Sequence, residues 1–232
     1  MKKLTKLAVK RRLARLDRKN PMNPELTHKV INGYVFEDLD LSGVRFDASE
    51  LEGCTFRNCA LDRASFRDAS LPCVRFINCT FDRTSFLGAR LHSYSFVSCL
   101  FTEAMFVGTQ FYAGGFWRCV PDTTIEFRTS IFSELYGFEV GQPKLWDVQG
   151  DGRLIHSLTL AGHTVAYTKD SLTVDWEVQP IGNPDEWLQR GPTEPFKNPH
   201  VIAWWEEWMP TLRTIVKKAP VTDTKRCEYN EF

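Results

Sequence analysis

No run of apolar residues in this chain approaches the roughly 20 needed to cross a bilayer, so no membrane-spanning helix is expected. The start, MKKLTKLAVKRRLARL, is broken by Lys10, Arg11 and Arg12, which removes the apolar core of a secretory signal, although an Arg-rich transit peptide stays open as a reading. There is no CxxC pair, no metal-ligand spacing, no phosphate-binding glycine loop and no nucleophile elbow. Those absences argue against a zinc ribbon, a nucleotide site and a hydrolase triad, and no cofactor is expected. The 7 cysteines are odd in number and match no small disulfide scaffold, so a reducing cytoplasm is the expected compartment. Net charge is also lacking, yet this zero is a sum of unlike parts. Residues 1–20 carry nine of the 29 Lys/Arg and one of the 29 Asp/Glu, leaving 20 basic against 28 acidic residues in the remainder.

What the chain does have is a ruler. Phe36, Leu41, Phe46, Leu51, Phe56, Leu61, Phe66, Leu71, Phe76, Phe81, Phe86, Leu91, Phe96, Phe101, Phe106, Phe111 and Phe116 follow one another at intervals of five. Neither a helix of period 3.6 nor a strand of period 2 asks for that spacing. Two residues before each comes a smaller series, including Ala64, Ala69, Val74, Cys79, Thr84, Ala89, Cys99, Ala104 and Thr109. A square coil satisfies both: each five-residue unit makes one side and one corner, and four units close a turn. Coils then stack through ladder hydrogen bonds about 4.8 Å apart, and each buries the apolar face of the next. Residues twenty apart must share a wall. Phe36, Phe56, Phe76, Phe96 and Phe116 make a first wall of phenylalanine, and Phe46, Phe66, Phe86 and Phe106 a third. The second and fourth walls begin with leucine, so large and small layers alternate as close packing requires.

This five-residue pattern resembles that of the pentapeptide-repeat family, with its approximate motif A(D/N)LXX, over residues 34–118. The resemblance implies a mainly β fold, a right-handed quadrilateral β-helix solenoid, and a non-enzymatic role. It also brings in the quinolone-resistance relatives, which are similar to a DNA duplex in shape and charge and bind DNA gyrase. Two features depart from that duplex-like pattern: residues 34–118 hold eight Arg against ten Asp/Glu, and no loop interrupts the repeats.

The outward positions change character along the rod. The first coil is acidic, with Glu37, Asp38, Asp40, Asp47, Glu50 and Glu52 opposed by Arg45. The middle mixes Arg57, Asp62, Arg63, Arg67, Asp68, Arg75, Asp82 and Arg83. Late coils turn apolar, with Leu87, Val97, Leu100, Met105, Val107, Tyr112 and Trp117. Exposed apolar patches mark contact surfaces, but about a hundred residues follow and are expected to cover these. The candidate partner-binding residues are therefore Glu37, Asp38, Asp40, Asp47, Glu50 and Glu52 at one end and Val97, Met105, Val107, Tyr112 and Trp117 at the other. Cys59, Cys79, Cys99 and Cys119 also lie twenty apart; parallel thiols do not converge on a tetrahedral point, so a packing role is favoured over a metal file. Cys73, at an outward position, is the reactive thiol to expect.

Residues 1–33 read as a basic segment, linker and cap, with direct nucleic-acid contact as one use of its charge. Residues 119–144 read as a cap or bridge, since the ruler fails at Pro121. Residues 145–220 read as a smaller C-terminal β-meander plus helix module, and 221–232 as a tail. In the module, Leu172, Val174, Trp176 and Val178 alternate with polar residues as one half-buried strand; NPDEWLQRG reads as a short helix; and Val201, Trp204, Trp205, Trp208, Leu212, Ile215 and Val216 form a helical stripe, kinked near Pro210. This region resembles modules attached to pentapeptide-repeat proteins of bacteriophages. His156, His163, Asp147, Asp151, Asp170 and Asp175 are the groups an enzyme would draw on. The leading expectation is a non-catalytic binding protein that inhibits or modulates another protein. The alternatives are a gyrase or topoisomerase modulator, an oligomeric scaffold such as a homodimer, and an enzyme within 145–220.

Overall fold

The computed structural model describes residues 2–3, 26–119, 125–138, 140, 144–146, 148–152, 154–168, 171–175, 177–180 and 199–221. The five-residue ruler becomes a right-handed quadrilateral β-helix. Its walls are short parallel strands in the register the twenty-residue superperiod requires: Val35, Thr55, Arg75 and Ser95 pair in turn, as do Phe36, Phe56, Phe76 and Phe96. Rings on the first wall stack face to face, with centroids 4.6 Å apart for Phe36–Phe56, 4.9 Å for Phe56–Phe76, and 4.8 Å for Phe76–Phe96 and Phe96–Phe116. Rings of the third wall meet them edge-on, as in Phe46–Phe56 at 5.9 Å and 85°. Offset stacking along the axis and edge contacts across it are the two geometries aromatic quadrupoles favour. The interior is therefore solid.

Every fifth residue from His28 to Arg118 has a positive φ, and these are the corners, two residues after each large apolar side chain. Only Gly33, Gly43, Gly53, Gly88 and Gly108 among them are glycine; Asp38, Asn58, Asp68 and Asn78 are types that tolerate the left-handed region, and the others bear its cost of about 1–2 kcal/mol each. The ladder amides of the corners compensate: Ala48 N donates to Arg67 O at 2.7 Å and Cys73 N to His92 O at 2.7 Å.

The smaller series two residues before each ring has a second role besides filling the corner. Where that residue carries a hydroxyl or thiol, it donates to the carbonyl of the large residue one coil earlier: Thr84 to Leu61 O and Thr109 to Phe86 O, both at 2.7 Å, and likewise Ser49 to Leu26 O and Ser130 to Phe106 O. Ala69 and Ala89 interrupt the column Ser49, Thr109, Ser130. Ala89→Ser is thus expected to place a donor on Phe66 O and to raise stability by about 1 kcal/mol, read from the midpoint of a urea transition.

The coil outruns residues 34–118 at both ends. Leu26 and Ile31 sit on the ruler and are buried, and their amides bond to Arg45 O and Glu50 O. Beyond Trp117, Met105 pairs with Glu126 and Phe106 stacks on Phe127 at 4.9 Å. Phe111 stacks on Phe132 at 4.7 Å. The winding survives a register that has lengthened by one residue, then slips again at the bulge between Gly114 and Gly115. The ruler fails on paper at Pro121 because the extra residues shift the count, while burial restores the stack.

The C-terminal meander caps the rod. His156–Leu160, His163–Tyr167, Ser171–Val174 and Glu177–Pro180 form an antiparallel sheet in that order. Ala166 on one face joins the rod's core, and Leu145 N donates to Thr173 Oγ1 at 3.4 Å. Val165, Tyr167, Leu172 and Val174 on the other face pack with Val201, Trp204, Trp205, Leu212 and Val216 of the helix Pro199–Lys218. The single strand expected over 172–178 is a hairpin instead: Asp175 turns at φ 52°, and Val174 pairs with Glu177. Alternation alone does not distinguish a strand from a hairpin whose turn residue can adopt the left-handed region. Helix Pro199–Lys218 runs through Pro210 as one element, with Pro210 on its exposed side. The short helix expected at 183–191 and the basic stretch 4–25 lie outside the described residues.

Candidate functional site

The six acidic candidates of the first coil are not equivalent. Asp47 is buried at 8% and committed: Oδ1 accepts from Ser65 Oγ at 2.5 Å and Arg67 N at 3.2 Å, and Oδ2 from Arg45 Nη2 at 2.8 Å. An i,i+2 arginine and the next coil together convert this carboxylate into a strut. Glu37 faces Arg57 at 3.6 Å, one coil on in the same column. Asp38 accepts from Asn58 Nδ2 at 3.1 Å, and Asn58 from Asn78 Nδ2 at 3.4 Å, an amide ladder along one corner. Asp40 accepts from Ser42 N. Asp38, Asp40, Glu50 and Glu52 remain exposed. They lie on three walls, so the acidic coil is a belt and not a single face.

The apolar candidates divide likewise. Val97 and Trp117 share the first wall, half-buried. Met105, 41% exposed, and the half-buried Val107 lie on the third. Tyr112, 42% exposed, lies on the fourth. Leu100 of the second wall is also exposed. The expectation that the chain's own C-terminal part covers these residues is corrected for Leu100, Met105 and Tyr112, which stay exposed: the meander packs across the end of the rod, beside Leu145, because that end would otherwise expose ring faces and strand edges.

One wall gathers what the others scatter. On the fourth wall Ser70, Arg90, Gln110 and Ile131 form one outward column, and Pro72, His92, Tyr112 and Ser133 another. Here two eight-residue strands, Gln110–Trp117 and Ile131–Phe138, run on past the corner and present Tyr112, Ile131 and Tyr136. His92 stacks on Tyr112 at 4.8 Å and 18°, and Tyr112 Oη donates to Glu134 Oε1 at 3.0 Å, which raises the pKa of the tyrosine hydroxyl. Glu50 and Glu52 stand on the same wall nearer the N-terminal end. Ile131, Tyr136, Glu134 and His92 were not singled out in the sequence. Ile131 and Tyr136 fall beyond the break in the ruler, and the outward role of His92 shows only once its column is known.

Of the groups an enzyme would use, Asp175 and Asp151 serve turns. Asp175 Oδ2 meets His163 Nδ1 at 2.7 Å, and its Oδ1 accepts from Thr164 N at 2.9 Å, fastening the hairpin. Asp151 Oδ1 accepts from Leu154 N and Ile155 N at 2.9 and 3.0 Å. His156 stacks on Tyr167 at 5.0 Å. Asp147 and Asp170 lie outside the described residues. Among the described residues, no group of three or more His, Cys, Asp or Glu converges on a metal-sized point. Cys73 is exposed at a corner, and the five other described cysteines are buried and free. Burial, only partly offset by backbone hydrogen bonds, pushes the Cys54 thiol up to about 11.

The family model described as "Pentapeptide repeat region" matches residues 49–133. No curated protein matches the chain. Among solved structures, Rfr23, a pentapeptide repeat protein of the cyanobacterium Cyanothece 51142, is similar at 13% identity, covering 41% of this chain and 61% of that one, with a TM-score of 0.29. The chain thus spans less than two thirds of Rfr23. HetL, a pentapeptide repeat protein involved in heterocyst differentiation regulation in Nostoc sp. strain PCC 7120, matches at 12% identity, with 62% and 70% covered and a TM-score of 0.26. Full-length QnrB1, a plasmid-mediated fluoroquinolone resistance protein, matches at 16% identity, with 53% and 84% covered and a TM-score of 0.22. Among the described residues, no helix is long and apolar enough to cross a membrane.

Proposed function

We propose that this pentapeptide-repeat chain is a non-catalytic protein-binding module that inhibits or modulates its partner through one rigid face, the fourth wall of the rod with the corner that follows it at Glu134. The observation that carries the reading is the exposure of Tyr112, Ile131 and Tyr136, at 42, 39 and 43%, on paired strands of a solid rod. Large aromatic side chains held by a stacked backbone lose little freedom on binding, which is what makes tyrosine effective at contact centres. Glu50 and Glu52 supply charge at the far end of the same wall and favour a partner with a basic rim.

The test is a tagged full chain incubated with a bacterial lysate, beside a variant carrying Tyr112→Asp, Ile131→Asp and Tyr136→Asp. A partner retained by the parent, identified by mass spectrometry, is expected to lose binding by about 100-fold or more in the variant, while the variant stays folded at the assay temperature, its melting curve lowered only by the loss of the Tyr112 stack on His92 and bond to Glu134. Equal retention by both chains would refute the assignment of this wall. Duplex mimicry of gyrase substrates is the weaker reading: Asp47 is spent on structure, and the remaining acids circle the rod instead of tracing two phosphate-like rows. Gyrase supercoiling is accordingly expected to proceed unchanged in the presence of the protein.

A further inference from the structure

The cysteine column was set aside above because it cannot make a tetrahedral site, but its geometry fits another. Cys59, Cys79, Cys99 and Cys119 occupy successive coils, each three residues past a stacked phenylalanine, and are 2, 1, 0 and 6% exposed. Their thiols hold equivalent places. Each donates to the carbonyl 23 residues back, at 3.4 Å for Phe36, 3.5 Å for Phe56 and Phe76, and 3.6 Å for Phe96. Each also lies 3.3 to 3.6 Å from the carbonyl two residues back. Equivalent atoms in successive coils are separated by the coil repeat, which the flanking rings set at 4.8–4.9 Å.

That separation is too long for a disulfide, whose Cβ atoms stand about 3.8 Å apart with side chains turned toward each other. It suits a linear bridge. A metal–thiolate bond is about 2.3 Å, so two in line span about 4.6 Å. Soft sulfur ligands select soft d10 cations, and linear two-coordination needs only a pair of thiolates. We propose that the column is a binding site for two-coordinate soft cations of the mercuric type, one ion between Cys59 and Cys79 and a second between Cys99 and Cys119.

The balance favours a divalent ion. Two thiols and one Hg(II) give a neutral dithiolate, with two sulfur–hydrogen bonds broken, two sulfur–mercury bonds formed and two protons released to solvent. Neutrality matters because a net charge in so buried a place is heavily penalised. Metal binding is then coupled to proton release, and entry follows local opening of a coil.

The pairing rule gives a sharp test. In the full chain with Cys54→Ala, Cys73→Ser and Cys227→Ser, incubation with mercuric chloride, gel filtration and native mass spectrometry are expected to show two retained ions, each with loss of two protons. Adding Cys59→Ala and Cys119→Ala leaves neighbours in adjacent coils, and one ion is expected. Adding Cys79→Ala and Cys99→Ala instead leaves two thiols three coils apart, and none is expected. Equal retention by both two-thiol variants would mean that mercury counts thiols and not pairs, and would overturn the proposal. Should either variant fold poorly, the mercury absorption edge of the four-thiol chain decides: two sulfur neighbours support the bridge, and one sulfur with one chloride refutes it.

Discussion

Replacing Phe76 by alanine is expected to lower the stability of the chain by about 3–5 kcal/mol, the range for emptying a fully buried phenylalanine site. Phe76 is at the centre of the rod with no exposed surface. It stacks on Phe56 and Phe96 at 4.9 and 4.8 Å and receives the edges of Phe66, Phe81 and Phe86 at 5.9, 5.3 and 6.3 Å. Two features push the cost to the upper end. The surrounding rings are carried on a hydrogen-bonded lattice and cannot collapse into the gap. In a solenoid each coil is also stabilised chiefly by its neighbours, so a weak third coil uncouples the two ends. Urea denaturation of the full chain, followed by tryptophan fluorescence and by circular dichroism, checks both points. The two probes should part company in the variant, because the tryptophans lie at Trp117 and beyond while the rod's strands begin far earlier. Phe76→Leu, which keeps most of the volume, should cost less than about 1.5 kcal/mol. A loss below that figure for the alanine variant would show that the rings do not pack as a continuous column.

Gly114→Ala is expected to cost about 3 kcal/mol, the upper end for overpacking a filled core. At this position a Cβ atom would stand 2.4 Å from Tyr94 Cδ1 and 2.4 Å from Tyr94 O. Tyr94 breaks the small series one coil earlier, and its ring reaches across to Phe111 at 5.4 Å and Phe116 at 5.8 Å. The glycine exists to make room for that ring. Its backbone has no left-handed requirement, so the cost is one of space. Truncating the ring as well, with Tyr94→Ala in the Gly114→Ala chain, should recover only part of the loss, since the carbonyl contact remains. Tyr94 Oη is buried without a hydrogen-bond partner, and burial pushes its pKa well up. Tyr94→Phe should therefore leave stability unchanged or raise it by about 1 kcal/mol. Thermal melts of the parent, Tyr94→Ala, Gly114→Ala and the double variant form the cycle that separates these terms, with Tyr94→Phe melted beside them.

Much of this protein is legible without coordinates, and its extent follows from particular residues. Leu and Phe at intervals of five state the side length of the coil, and the twenty-residue recurrence of phenylalanine states the number of sides. Large apolar side chains have one place to go, the axis, so period alone determines which residues are inside and which wall each occupies. The helical stripe from Val201 to Val216 is readable for the same reason.

Tertiary structure decided the rest. It set the ends of the rod, because Leu26, Ile31, Phe127 and Phe132 join by burial after the count has slipped or before it becomes evident. It decided which acids remain exposed: Asp47 resembles Asp40 in sequence, yet only a folded coil brings Ser65 Oγ and Arg67 N to its carboxylate. It also chose the face, since exposure of Tyr112 and Ile131 depends on where the meander comes to rest. The physical division is between interactions set by spacing along the chain and those set by contacts between distant segments. A repeat declares the former completely, and the latter exist only when the chain has closed on itself.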